Sequence, residues 1–301
     1  MSTTPADPAR DFNFTYKAMG GGEVAPGVYA TMTVIAFDGT TGQALMFLNR
    51  HNGDLLGKPV GLFAHTFNAD RAAQIVAAVE GTKWADLPQP TKGDVNAAML
   101  AIKYGRGTMI VQRSFNARNL EFIRSIPAVM QQVDDLGTAL VTKPIRAVTC
   151  DVERTADGLA LVLTNVGTGP VVIADPRPAD VNDLDAKSSF KVCIEVPEVP
   201  GSFASPPIWQ TIALAPRGDA PASITLAPGQ SHKVASVPWH PSASEGTYVA
   251  QARWQDYAGP AFDQAKHLPL IPEVTKMDAK PYVVRGAAFS TYTKFPAKAS
   301  K

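Results

Sequence analysis

The sequence predicts an α+β N-terminal domain followed by an all-β immunoglobulin-like sandwich. Three observations carry that expectation. From residue 146 onward apolar residues recur with a period of two, and helical stripes of useful length disappear. Before that point, strand patterns are interrupted by two stretches with helical spacing. Ser223 to Asp256 then reads as a strand, a Leu-x-Pro-Gly turn, a strand leading to a Trp, a polar loop, Gly-Thr-Tyr and a long alternating strand. Immunoglobulin-like sandwiches write their closing strands in that order.

The elements follow along the chain. Residues 1–11 are small, polar and Pro-containing and are expected to be disordered. Phe12 to Ala18 alternates as a strand that ends at Gly20-Gly21-Gly22. Strands are expected at 28–37 and 43–48, joined by an Asp38-Gly39 turn with positive φ. Residues 49–67 read as a loop, with Gly53, Gly57, Pro59 and Gly61. Asn68 or Asp70 caps a helix over 70–80 whose Ala72, Ile75, Val76 and Val79 share a face. Trp84-Ala85-Asp86-Leu87-Pro88 reads as an extended anchor. A hairpin over 97–113 turns at Gly105-Arg106-Gly107. Ser125 caps a second helix with Pro127 in its first turn and a stripe of Val129, Val133, Leu136 and Leu140.

These elements place a small α+β domain at 12–142 and a sandwich at 146–257. Sandwich strands are expected at 146–154, 158–165, 170–174, 190–196, 208–214, 222–227, 232–238 and 246–256. The tail, 258–301, is too apolar around Tyr282, Val284, Phe289 and Tyr292 to be a free linker. It is expected to add one strand or to pack along a domain.

Composition narrows function. The 28 Lys and Arg against 27 Asp and Glu give a net charge of +1, and no basic cluster forms, so neither nucleic acid nor a membrane surface is an expected partner. No apolar run is long enough for a transmembrane helix, and the first residues do not read as a secretory signal. A cytoplasmic location is therefore expected, with Cys150 and Cys193 as buried free thiols.

No catalytic signature stands out. His51, His65, His232, His240 and His267 include no pair at i, i+4, and no HExxH, GxSxG or SxxK occurs. Gly20-Gly21-Gly22 reads as a turn or bulge, since no helix or Lys-Ser/Thr follows. Asp134 and Asp135 diverge on a helix surface. Trp209, Trp239 and Trp254 read first as packing residues and second as a ligand platform. No metal or cofactor is expected. An enzyme with a loop-borne site would have to use Arg50, His51, Asp54 and His65.

Two resemblances sharpen this. Phe14 to Gly21, then Trp84 to Pro88, then the hairpin and the helix with Val133, Leu136 and Leu140 resemble the emfourin family over about residues 12–141. Emfourins are small protein inhibitors of thermolysin-like metalloproteases. Leu226-Ala227-Pro228-Gly229-Gln230, Trp239 and Gly246-Thr247-Tyr248 resemble the sandwich of intracellular proteinase inhibitors and related accessory domains. The resemblances imply a non-enzymatic protein-binding protein, most sharply a protease inhibitor with a thermolysin-like metalloprotease as partner. Binding is expected through two presented loops. One is Gly-rich and contributes Arg50, His51, Asp54 and Leu55; the other is Pro-rich and contributes Pro200, Ser202 and Phe203. The alternative is an assembly or accessory protein whose sandwich and tail build a homo-oligomer.

Overall fold

A computed structural model describes residues 11–25, 28–49, 56–87, 99–106, 109–116, 120–179, 188–195, 208–241, 246–256 and 281–296. The chain is mostly β-sheet, with three α-helices among the described residues. None of these helices is long and apolar enough to cross a membrane. Two compact units divide the chain. The first draws its described residues from 11–49 and 61–145; the second draws on 56–60, 146–256 and 281–296.

The first unit is a meander of antiparallel strands: β1 (Phe12–Ala25), β2 (Val28–Asp38), β3 (Gln43–Leu48), β4 (Val60–Thr66), β5 (Met99–Arg106) and β6 (Met109–Asn116), in the spatial order β4-β3-β2-β1-β5-β6. Three helices accompany them: α1 (Ala69–Glu80), α2 (Leu120–Ser125) and α3 (Pro127–Val141). Asn68 Oδ1 accepts the Arg71 N–H at 2.9 Å and starts α1, and Ala72, Ile75, Val76 and Val79 are its buried face. Val129, Val133, Leu136 and Leu140 are the buried stripe of α3, which packs on β2, β3 and α1. α3 runs close to β2 at Gly137, where a Cβ would make only ordinary contact, 3.9 Å from Ile35 Cδ1. Each such Val or Leu contributes about 1.5–3 kcal/mol by leaving water. A 12-residue helix needs that packing to persist.

Several expectations are corrected here. The segment 49–67 contains a strand: β4 pairs with β3, and His65 lies opposite Ala44. The first strand does not end at its glycines. It runs on to Ala25, and its register with β2 shifts between Gly20 and Glu23 and again between Glu23 and Ala25. In the 38–42 turn the positive φ belongs to Gly42 (φ 69) rather than Gly39, and a Cβ on Gly42 would lie 2.4 Å from Phe67 O. Trp84–Asp86 is a 3-10 turn, not an extended anchor. Trp84 is buried there, donates Nε1–H to Val79 O at 2.8 Å and sits 5.5 Å from the Tyr104 ring. Ser125 ends α2 instead of capping α3, whose N-cap residue is Ile126.

The second unit holds β7 (Pro144–Arg154), β8 (Leu159–Asn165), β9 (Val171–Ala174), β10 (Ser189–Glu195), β11 (Gln210–Ala213), β12 (Ser223–Leu226), β13 (Ser231–Ala235) and β14 (Thr247–Asp256), followed by β15 (Tyr282–Val283), β16 (Gly286–Phe289) and β17 (Thr293–Pro296). Its layers are β13-β8-β7, β12-β9-β15, and a five-stranded sheet ordered β11-β10-β14-β16, in which β17 also pairs with β14. Trp254, Tyr248, Phe190, Leu161, Leu163 and Ile173 are buried in its core. Buried Asn165 locks the turns together: Nδ2 donates to Gly169 O (3.0 Å) and Leu226 O (2.9 Å), and Oδ1 accepts from Gly167 N (2.9 Å). Beyond β11, Leu214 bridges to Ser236, which ties the five-stranded sheet to β13.

The tail adds three short strands, where one strand or packing along a domain was expected. β15 lies parallel to β9, while β16 and β17 both pair with β14. Arg285 pairs with largely buried Asp256. Tyr282, Val284, Ala287 and Ala288 are buried. Residues 258–280 lie outside the described residues. Truncation after Gly259 is therefore expected to lower the melting temperature of the second unit by many degrees, because β14 loses both pairings on one edge. Unchanged melting and unchanged mass in solution would show these pairings to be idle.

Candidate functional site

Arg50, His51, Asp54, Leu55, Pro200, Ser202 and Phe203 all lie outside the described residues. What can be followed is where the two loops that carry them enter the second unit. One ends at Leu56-Gly57 and the other at Ile208-Trp209. Both ends meet the same short segment, Phe289–Tyr292.

That segment is shaped by β14. Phe289 pairs with Arg253 and Thr293 pairs with Ala250. The tail thus takes four steps where β14 takes three, and one extra residue must leave the ladder as a bulge. Buried Ser290 fastens it. Its N–H donates to Ala252 O at 2.9 Å, its Oγ accepts the Ala252 N–H at 2.8 Å, and its hydroxyl donates to Thr291 O at 2.8 Å. Gln251 Nε2 donates to Ser290 O at 3.2 Å.

The bulge sends Thr291 and Tyr292 outward. Gly57 N–H donates to Phe289 O at 2.8 Å, with φ 73. That positive φ favours glycine, and a Cβ on Gly57 would lie 2.8 Å from Thr291 Cγ2, which would have to move aside. Trp209 meets Tyr292 with ring centroids 5.6 Å apart and planes 38° apart. Ile208 is 89% exposed, Trp209 40% and Tyr292 53%, which makes this an apolar surface cluster at the roots of both loops. Trp254 is core, and Trp239 is half-buried edge-on to Tyr248 at 5.1 Å, so packing describes those two.

Reactive groups are placed elsewhere. Among the described residues, no three of His, Cys, Asp and Glu gather as a metal would require. Cys150 and Cys193 are free and buried, and burial pushes the Cys150 thiol far up, away from the reactive thiolate. Asp135 holds Arg71 at 2.9 Å on the surface of the first unit. A shallow depression between the Gly39–Gly42 turn and α1 is lined by no ionisable side chain.

Asp175, Arg177 and His232 form a polar cluster whose members shift one another. Burial would raise the Asp175 carboxyl, but Arg177 overrides it through side-chain and backbone hydrogen bonds, down to 2.5 Å, and the carboxyl sits below its ordinary value of 3.8. Burial lowers His232 below 6.5; Asp175 opposes this and Arg177 adds to it. His232 Nε2 is buried without a hydrogen-bond partner, so a proton there would be poorly served.

No family model matches the chain, and no curated protein is similar to it in sequence.

In the sequence, Trp209 reads first as a packing residue and Tyr292 as part of an apolar tail. Neither residue signals the other, because only their separate pairings around β14 bring them together.

Two outcomes follow. Ser290→Ala leaves the Ala252 N–H without its acceptor in a buried place and is expected to cost about 1–3 kcal/mol in chemical denaturation. The pH dependence has a definite sign. His232 resists protonation when folded, so its contribution is complete above 6.5 and is lost as pH falls below that value; the Asp175 contribution is lost further down, below 3.8. Melting temperature is expected to fall between pH 7.5 and 5, and His232→Gln to flatten that fall. Equal slopes for both proteins would refute the assignment.

Proposed function

We propose that this chain is a non-enzymatic protein-binding protein, most sharply an inhibitor of a thermolysin-like metalloprotease. On this reading the first unit is an α+β domain and the second an immunoglobulin-like sandwich that presents loops. The observation that carries the proposal is the exposed Ile208, Trp209 and Tyr292 cluster, standing where both candidate loops enter the sandwich. Trp and Tyr are the residues most enriched among energetic anchors of protein interfaces. The bulge and its hydrogen bonds fix Tyr292 before any partner arrives, which lowers the ordering entropy lost on docking. The target class rests on the emfourin resemblance.

The test is hydrolysis of a peptide substrate by a thermolysin-like enzyme with and without the full chain. Inhibition is expected, and Trp209→Ala should weaken it roughly tenfold, as loss of an anchor does. Untouched hydrolysis at large molar excess removes the inhibitor reading.

A second reading is an assembly protein that uses its sandwich and tail to form a homo-oligomer. It is favoured by exposed Ile208 beside β11, the outermost strand of its sheet. Gel filtration at several concentrations separates the two, since only assembly makes the mass depend on the protein alone. Metal analysis of the purified protein checks a third, loop-borne enzyme site.

A further inference from the structure

β11 is the outermost strand of the five-stranded sheet, and the backbone directions along it define its open edge. Ala213 pairs with Ser189 of β10, yet its C=O accepts from the Val237 N–H at 3.0 Å. Its backbone is therefore turned away from β10. Successive residues of a strand turn their N–H and C=O to alternate edges, so Ile212 and Gln210 face β10 and Thr211 is turned outward. The same alternation, carried on, turns Trp209 outward too. Beyond Ala213 the edge is closed: Ala215 N–H donates to Ala235 O at 3.0 Å, and Leu214 bridges to Ser236. Trp209 and Thr211 are left with outward backbone groups that no strand among the described residues meets. Gln210, Thr211 and Ala213 are exposed, and so is Ile208, at 89%.

An open edge is a template for another strand, and complementarity decides which strand fits. From Ile208 to Ala213 the chain carries no charge, and β10 behind it carries one of each sign, Lys191 and Glu195. Neither an acidic nor a basic segment is therefore favoured, and a second copy of the same edge brings no like charges together at the ladder. Two copies related by a two-fold axis across an antiparallel ladder place one residue opposite itself. With Gln210 there, Trp209 lies opposite Thr211 of the second copy, and Thr211 opposite its Trp209. Every open N–H then meets an open C=O. The neighbouring registers fail. Thr211 on the axis sets Trp209 against Ala213, whose C=O is already held by Val237. Trp209 on the axis sets Thr211 against Pro207, which has no N–H. The Gln210 register also brings exposed Ile208 level with Ile212 of the second copy.

We propose that this chain forms a reversible homodimer in which two β11 edges pair antiparallel about a two-fold axis at Gln210, joining the two five-stranded sheets. The inference rests on the assembly reading and names its surface, its partner and its register. β11 holds only four residues, so the shared ladder is small and pairing depends on concentration.

The experiment is sedimentation equilibrium of the full chain over a wide range of concentration. The mass is expected to rise from one copy to two. Gln210→Glu and Gln210→Lys, changes at an exposed side chain, each set like charges across the axis and should raise the midpoint concentration roughly tenfold or more. Mixing the two variants should restore pairing, because opposite charges then meet. Gln210→Cys should be linked to its own copy under mild oxidation, since such partners hold their Cα atoms about 4.5 Å apart, within reach of a disulfide. The unmodified chain, whose Cys150 and Cys193 are buried, should not be linked. If association is present but unchanged in both charge variants, this edge is wrong and the assembly reading stands. If both variants weaken association and mixing does not restore it, the two-fold register is overturned. A mass of one copy at every concentration removes the inference and the assembly reading together. Should a charge variant fail to fold, the cysteine variant decides: no link at concentrations where the mass is two copies overturns the proposal.

Discussion

The structure around the candidate site depends on a single strand edge. β14 is ten residues long, and β10 occupies its other edge. The tail must then cover the remaining edge with two short pieces, β16 against Arg253–Asp256 and β17 against Thr247–Ala250. Those pieces are out of step by one residue, and the mismatch is concentrated at Ser290–Tyr292. A ladder would satisfy the backbone there by itself; a bulge cannot. Ser290 replaces the missing partner by giving Ala252 a hydroxyl acceptor and returning a backbone donor. Everything exposed at the site follows from that substitution: where Thr291 stands for Gly57 to close on, and where Tyr292 stands for Trp209 to meet.

Legibility in the sequence follows from how each element is buried. The strands between 144 and 256 lie close to where the period of two places them, because many have one face in the core and one toward water. β14, with alternating burial over much of its length, is the plainest case. The stripes of α1 and α3 are equally legible, since Ile75 and Leu136 must be buried and the residues on the opposite faces of their helices need not be. β4 escapes notice for the opposite reason. Val60, Gly61, Leu62 and Phe63 are all buried, so there is no alternation to read, and the surrounding Gly and Pro mimic a loop. β15, β16 and β17 hold two to four residues each, and their partners lie far away in the chain. No local pattern can announce a strand that exists only because β14 or β9 offers it an edge. The site inherits that limit, since Trp209 and Tyr292 are neighbours through two non-local ladders.

Polar burial gives the second unit its rigidity. Asn165 satisfies two carbonyls and one N–H from different turns, and such a residue tolerates only one arrangement of those turns. Asp175 does the same at the end of β9, where Arg177 answers both carboxylate oxygens. The Asp256–Arg285 pair then fixes the start of β16. These contacts add little net free energy each, because the groups were hydrated before folding. Their effect is to make alternatives expensive, so the register that creates the bulge is the register that persists.

Rigidity bears directly on what the exposed aromatics can do. A solitary surface Trp is free to swing, and a partner must freeze it. Trp209 instead leans on Tyr292 with centroids 5.6 Å apart, and Tyr292 stands two residues after Ser290, which is locked to Ala252 and Thr291 by hydrogen bonds. An aromatic contact of this kind contributes about 0.5–1.5 kcal/mol, enough to hold one arrangement most of the time. The pair shelters part of each ring and leaves the rest, with Ile208, in water. Complete burial would have served stability better. A preformed, partly covered aromatic pair on a bulge is more useful to a ligand than to the fold, because the ordering has already been done and only desolvation remains to be gained.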